Sequence, residues 1–288
     1  MMDLSVCILN YNTADQACEC IKSVLKHTKD LKYETIVVDN ASTDGSVGLL
    51  REKFGDRIVL IQNKTNRYFT GGFNDAIFLA EGKYTALVNS DTYIVDNALK
   101  YMVDFLETHH MAGAVEAITI NDHTNAAINT STRELTPFRD LLDHSKLLRM
   151  IFRSEYARYR YTDWDRESDR EVEVLGNAFM MARSDLFKEI GGLNEALKMY
   201  YTEYPFSHAL RRRGYQLWHL AGARAFHAVG AATGKTDARL VSAIQRTDGD
   251  IYFALKEIMD EPAPSGGKFD RLGRRIKKYF FRLLRILP

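Results

Sequence analysis

Short apolar runs, each ending on a polar loop and followed by a stretch with helical period, constrain this chain most. The runs lie at residues 4–9, 35–38, 58–61 and 85–88, with a fifth candidate at 112–120. They are continuous rather than alternating, as expected of strands covered on both faces. Between them Ala17, Ile21, Val24 and Leu25 keep one helical face, as do Leu49, Leu50 and Phe54, and Ala76, Ile77, Leu79 and Ala80. Strand, loop and helix repeating in that order predict βαβ units, hence an α/β fold with a mostly parallel central sheet flanked by helices. Ligands of such sheets bind outside the carboxyl ends of the strands. The loops at 10–13, 39–45, 63–72 and 89–92 are therefore expected on one edge.

A chain of 288 residues, 45% hydrophobic, has enough apolar surface for a sizeable core. Its net charge of +1 hides an asymmetry. Residues 268–288 hold eight Lys/Arg against one Asp, leaving the rest at 31 Lys/Arg against 37 Asp/Glu, or −6. The cysteines, Cys7, Cys18 and Cys20, are odd in number and lack framework spacing, which predicts packing residues and a reducing compartment. The N-terminus has no basic region ahead of its short apolar run, and no run approaches the roughly 18 apolar residues of a membrane span, so a soluble body is expected. Residues 130–170 degrade into Arg/Asp/Tyr-rich sequence that reads as a helical insertion. Order returns at 174–195, followed by a basic helix at 206–213 and a strand near 215–220.

The loops carry the chemistry. Ser42 and Asp44 suit helix capping, but Asp39 follows Val37-Val38 directly, too early to cap, and offers a carboxylate to a ribose hydroxyl or a pyrimidine N–H. Asn10-Tyr11-Asn12 adds amides and an aromatic face. Arg67, Gly71-Gly72 and Asn74 bring one cation and flexible N–H groups to a helix start, a setting for phosphate. Neither GxGxxG nor a P-loop lysine motif is present. Asn89-Ser90-Asp91 ends a strand. In isolation it reads as a turn former; on an edge shared with Asp39 and Arg67, Asp91 is suited to hold a divalent cation against a diphosphate, since Mg²⁺ often takes only one or two protein oxygens.

LSVCILNYN, IVVDNASTDGS, NKTNRYFTGGFNDAI, ALVNSDT, GNAFMMARSDLFKEIGGLNE and ALRRRGYQLWHLAGARAFH, in this order over about residues 3–230, resemble the inverting family 2 glycosyltransferases of GT-A fold. Within that family the NSDT and late Ala-Arg-x-x-His are similar to bacterial rhamnosyltransferase-like enzymes of surface polysaccharides. The resemblance implies Tyr11 and Asp39 at the nucleotide base, Arg67 near the nucleotide, and Asp91 and the distant His227 as metal ligands; a His ligand favours Mn²⁺ over Mg²⁺. The expected substrate-binding set is Asn10, Tyr11, Asp39, Asn40, Arg67, Gly71, Asn74 and Ser90. The donor would be a UDP- or dTDP-linked sugar, dTDP-rhamnose among them, and the acceptor a glycan or lipid-linked glycan. One departure stands out. Where the family reads Tyr-x-Glu-Asp-x-Asp, this chain has Thr202 at the first acid, Glu203 at the base Asp and Pro205 at the last acid. Glu203 is thus the expected catalytic base, one methylene longer than usual.

Two rivals follow. A chain lacking two acids would serve as a nucleotide-sugar-binding subunit without catalysis, and a nucleotidyltransferase would need a glycine-rich basic loop after the first strand, which Asn10–Thr13 is not. The expected organisation is a GT-A domain over 1–262, with the 130–172 insertion near the acceptor side, and a linker plus basic amphipathic helix over 263–288. In that helix Leu272, Ile276, Phe280, Leu283, Leu284 and Leu287 recur at helical intervals among Lys/Arg, which suits an anionic membrane surface as well as docking on the body or a partner. Nucleic acid is not an expected partner, because the remainder is acidic. The expected location is the cytoplasm, with the tail as a means of peripheral attachment to the inner face of the cytoplasmic membrane.

Overall fold

The computed structural model describes residues 2–228 and 238–259, so the linker and tail expected over 263–288 lie outside the described residues. The chain runs β1 (Leu4–Asn10), α1 (Ala14–His27), β2 (Tyr33–Asp39), α2 (Ser46–Phe54), β3 (Val59–Gln62), α3 (Tyr68–Leu79), β4 (Tyr84–Asn89), β5 (Thr92–Ile94), α4 (Ala98–Thr108) and β6 (Ala112–Asn121). Then come α5 (Pro137–His144), α6 (Lys146–Ile151), α7 (Arg153–Arg160), β7 (Arg170–Val172), β8 (Phe179–Arg183), α8 (Ser184–Ile190), α9 (Glu203–Arg212), β9 (Gln216–His227) and α10 (Ala238–Met259). One mixed sheet has the order β3-β2-β1-β4-β8-β6-β9-β5, with β7 also on β9. The pairings give β3, β2, β1, β4, β6 and β9 one direction and β8, β5 and β7 the other, so the sheet is mostly parallel as the repeat predicts.

The unbroken apolar runs are explained by two cores. Leu4, Val6 and Ile8 of β1 face α1 and α4, while Cys7 faces α3 and α8 on the other side; β4 divides Ala86 and Val88 from Leu87 in the same way. All of these side chains are buried, each worth about 1.5–3 kcal/mol if as large as Leu or Ile. Cys7, Cys18 and Cys20 are free and buried, packing in these cores. Two details depart from the sequence pattern. The third run forms a sheet edge, with Val59 exposed, and Leu79 of α3 points to solvent while Phe73 takes the buried position. A third cluster joins Leu135, Tyr159, Val174, Leu197, Tyr204 and Tyr252, fastening α7, α9 and α10 together.

Parallel register aligns the strand ends that matter. Asn10 pairs with Asp39 across β1 and β2, and Leu9 with Asn89 across β1 and β4. The approach to β4 is held from below by Gly82, where a Cβ would meet Ser5 N at 2.4 Å and the Leu4 backbone at 2.5 Å. Because these are backbone atoms of a central strand, they cannot yield. Gly82→Ala is expected to destabilise the protein by about 1–3 kcal/mol; a thermal unfolding midpoint within a degree of wild type would contradict this packing.

Candidate active site

A cleft of about 470 Å³ opens at the carboxyl edge of the sheet, lined by Leu9, Tyr11, Asn40, Asn66, Tyr68, Phe69, Phe73, Asn89, Ser90, Asp91, Asn177, Met199, His227, Leu240 and Ile244. Of the residues expected from sequence it gathers Tyr11, Asn40, Ser90, Asp91 and His227. Ser90-Asp91 is a two-residue turn from β4 into β5, and β5 pairs with the end of β9 so that Thr92 faces His227. Ala228 N donates to Asp91 O at 2.9 Å, closing the same corner. In consequence His227 Nε2 lies 3.1 Å from Asp91 Oδ1, although 136 residues separate them.

These two donors fit a hard or borderline cation. Ligands about 2.1 Å from one ion at right angles stand about 3 Å apart, close to the observed spacing. Both side chains are largely buried yet line the cleft, and the buried His227 Nδ1 has no hydrogen-bond partner among the described residues. No group of three or more His, Cys, Asp or Glu suited to a metal occurs among the described residues, so a cation held here needs oxygen atoms from a ligand or water.

Several other expected site residues take supporting positions. Asp39 is fully buried, accepting from Asn10 Nδ2 at 2.7 Å and Ser42 N at 3.0 Å. Asn10 is equally buried and also engages Ser42 and Thr13, whose hydroxyl reaches Ser90 Oγ at 3.0 Å. The Asn40 amide binds Asn63, Asn66, Arg67 N and Tyr68 O, fixing the loop before α3. Arg67, expected near the nucleotide, pairs with Asp75 and with Glu195 Oε2 at 3.0 Å. Gly71 lets the Arg67 side chain fold against α3, since a Cβ would meet Arg67 Cβ at 3.0 Å. Asn74 clasps Leu193 N and O at 2.8 and 2.9 Å, holding the Gly191-Gly192 turn. The N–H groups at the start of α3 are likewise engaged, Tyr68 N by Asn66 and Phe69 N by Lys198 O.

Glu203 opens α9 beside Asn177, whose Nδ2 donates to Thr202 Oγ1 at 2.7 Å and lies 3.5 Å from Glu203 Oε2. Burial pushes the Glu203 carboxyl above the usual range, against the lowering effects of its own backbone N–H, Arg160 and Thr202. Pro205 is accommodated in the first turn of α9, where backbone N–H groups have no helical acceptor. Sequence reasoning assigned nothing to Asn177, though its position just before β8 was a signal. It also missed Asp248 of α10, a fully buried carboxylate that accepts from the N–H groups of Lys198, Met199 and Tyr200 at 3.1, 2.8 and 2.9 Å and so fixes the segment leading to Glu203.

The family model for glycosyl transferase family 2 matches residues 5–191. The chain is 37% identical over 108 residues to a poly(ribitol-phosphate) beta-glucosyltransferase of Bacillus spizizenii, a match covering 36% of this chain and 17% of the relative. It is 30% identical over 105 residues to the UDP-Glc:alpha-D-GlcNAc-diphosphoundecaprenol beta-1,3-glucosyltransferase WfaP of Escherichia coli, covering 36% and 41%. Those alignments thus span less than half of either relative. The fold is similar to that of GalNAc-T7 crystallised with UDP, GalNAc and Mn²⁺, with a TM-score of 0.59 at 13% identity over 79% of this chain and 44% of the other. With the family model spanning well over half its length, this chain belongs to glycosyl transferase family 2.

Proposed function

We propose that the protein transfers a sugar, with inversion, from a nucleotide-diphosphate sugar to a glycan or lipid-linked glycan of a bacterial surface polysaccharide. The observation carrying this reading is the Asp91–His227 pair, 3.1 Å apart in the wall of the cleft at the sheet edge. On this reading Asp91 and His227 hold Mn²⁺ or Mg²⁺, which when bound supplies Lewis-acid stabilisation to the departing diphosphate. Tyr11, partly exposed in the cleft, offers its ring to the nucleotide base. Ser90 and Asn89 contribute polar atoms beside Asp91. Glu203, bonded to the cleft residue Asn177, accepts the proton of the acceptor hydroxyl as it attacks the anomeric carbon.

Support for the donor comes from one relative whose name specifies glucosyl transfer from UDP-Glc and from a similar fold crystallised with UDP, GalNAc and Mn²⁺. A UDP-linked hexose is therefore the donor we favour over dTDP-rhamnose. The lipid-linked acceptor rests on the diphosphoundecaprenol in one relative's name. No described helix is long and apolar enough to cross a membrane. The second reading, a binding subunit without turnover, draws on Thr202 and Pro205 standing where acids are expected.

Two measurements separate these readings. In a thermal-shift panel of UDP-, dTDP- and GDP-sugars, a UDP-sugar with Mn²⁺ is expected to raise the melting temperature, and Asp91→Asn or His227→Ala to abolish the Mn²⁺-dependent part; a shift unchanged in both variants would contradict metal binding there. Kinetically, Glu203→Gln is expected to lower kcat by about 10²–10⁴-fold with little change in donor binding. Equal turnover would remove Glu203 from the base role, and no turnover in the wild type with intact donor binding would favour the subunit reading.

The raised Glu203 pKa fixes two signs. The reactive carboxylate disappears as pH falls through that raised value, so the acid limb of kcat/KM against pH should lie above the ordinary glutamate value of 4.5. The folded state also holds this proton more tightly than the unfolded one, so stability declines as pH rises from about 4.5 through the folded value. Glu203→Gln should accordingly raise the melting temperature at pH 7.5 while it lowers turnover. A lower melting temperature would show that the charge is compensated.

A further inference from the structure

The short helix α6 turns apolar side chains outward. Leu147, Met150 and Ile151 are 64, 76 and 62% exposed, and their i, i+3, i+4 spacing puts them on one helical face. Singly exposed apolar residues are ordinary, but three adjoining ones on one helical face are not. Ser145 Oγ accepts from Leu148 N at 3.3 Å, Leu148 is half-buried beneath, and Phe152 meets Phe138 edge-on at 5.0 Å. The inner side of α6 therefore holds it to α5 and α7, and the outer face is not required by the core.

Two exposed cations flank this face, Lys146 and Arg153. Residues 144–154 carry Lys146, Arg149 and Arg153 and no Asp or Glu, within a body that is acidic outside its final segment. Lys146 and Arg153 are exposed, and Arg149 lies over the Tyr156 ring at 5.6 Å. Apolar side chains flanked by Lys146 and Arg153 match the chemistry of an anionic bilayer surface, where the apolar groups enter the headgroup boundary and each exposed Lys or Arg adds roughly fivefold to binding. We propose that α6 is a membrane-docking surface for anionic phospholipid, separate from the 268–288 segment.

This docking has a consequence for the site. Tyr159 of α7 hydrogen-bonds Tyr204 of α9 at 3.2 Å, one residue past Glu203, so α6 seated on a bilayer fixes the height of that helix start above the lipid. The inference stands on exposure and charge, and it holds or fails independently of catalysis.

The test uses the full chain carrying Met150→Cys labelled with an environment-sensitive nitrobenzoxadiazole. Burial raises the pKa of the Cys7 and Cys20 thiols, with Glu34 adding to the rise at Cys7 and Asp91 at Cys20, while Cys18 is also buried, so the label goes to residue 150. With vesicles of phosphatidylcholine containing 30% phosphatidylglycerol, we expect a blue shift, quenching by acyl-chain spin labels, and loss of both at high salt. Leu147→Ser/Met150→Ser/Ile151→Ser, with an unchanged melting temperature, should weaken vesicle flotation at least tenfold. A probe that stays in water while the protein floats would assign binding to another segment and overturn the proposal. So would vesicle-free dimerisation in sedimentation velocity that the triple variant abolishes, since α6 would then be a contact between copies.

Discussion

Everything proposed for this cleft depends on one pairing, β5 against β9 with Thr92 opposite His227. That register carries a carboxylate from the end of β4 and an imidazole from the end of β9 to within 3.1 Å. A slip of one residue would turn His227 to the opposite face of the sheet. The Ala228 N–Asp91 O hydrogen bond locks the corner from the other strand, so the pair is set by backbone rather than by flexible side chains.

Behind the pair lies a layer of polar residues that is already satisfied. Asn10, Asp39 and Ser42 bind one another, Asn40 gathers the 63–68 loop, and Asn74 holds the Gly191-Gly192 turn. Buried polar groups without partners would destabilise the edge. With partners, they hold four loops in one arrangement. Binding of the proposed diphosphate donor would then require little further ordering, which is the physical basis of preorganisation. The same logic covers Asp248, whose carboxylate takes three N–H groups and steadies the approach to Glu203.

The strand repeat, the shared edge and the residues at strand ends were legible in the sequence because they follow from local periodicity. β1, β2 and β4 fall where the apolar runs are, and Tyr11, Ser90, Asp91 and His227 all reach the cleft. Partners far along the chain were not legible. Nothing local in the sequence announces that Glu195, 128 residues on, stands beside Arg67, or that Leu193 bonds the Asn74 amide. Asp39, too early to cap a helix, closes the turn at Ser42 with its carboxylate and is wholly buried, contacts that its place after β2 does not announce. The short antiparallel strands β5 and β7 carry three residues each, too few for a periodic signal.

The central claim is that one cation is held jointly by Asp91 and His227. Pulsed electron paramagnetic resonance of Mn²⁺ with UDP, on protein labelled with ¹⁵N-histidine, reads imidazole ligation directly. The account expects coupling to a single imidazole nitrogen that vanishes in His227→Ala. A spectrum without nitrogen coupling, or one unchanged by that substitution, would contradict it.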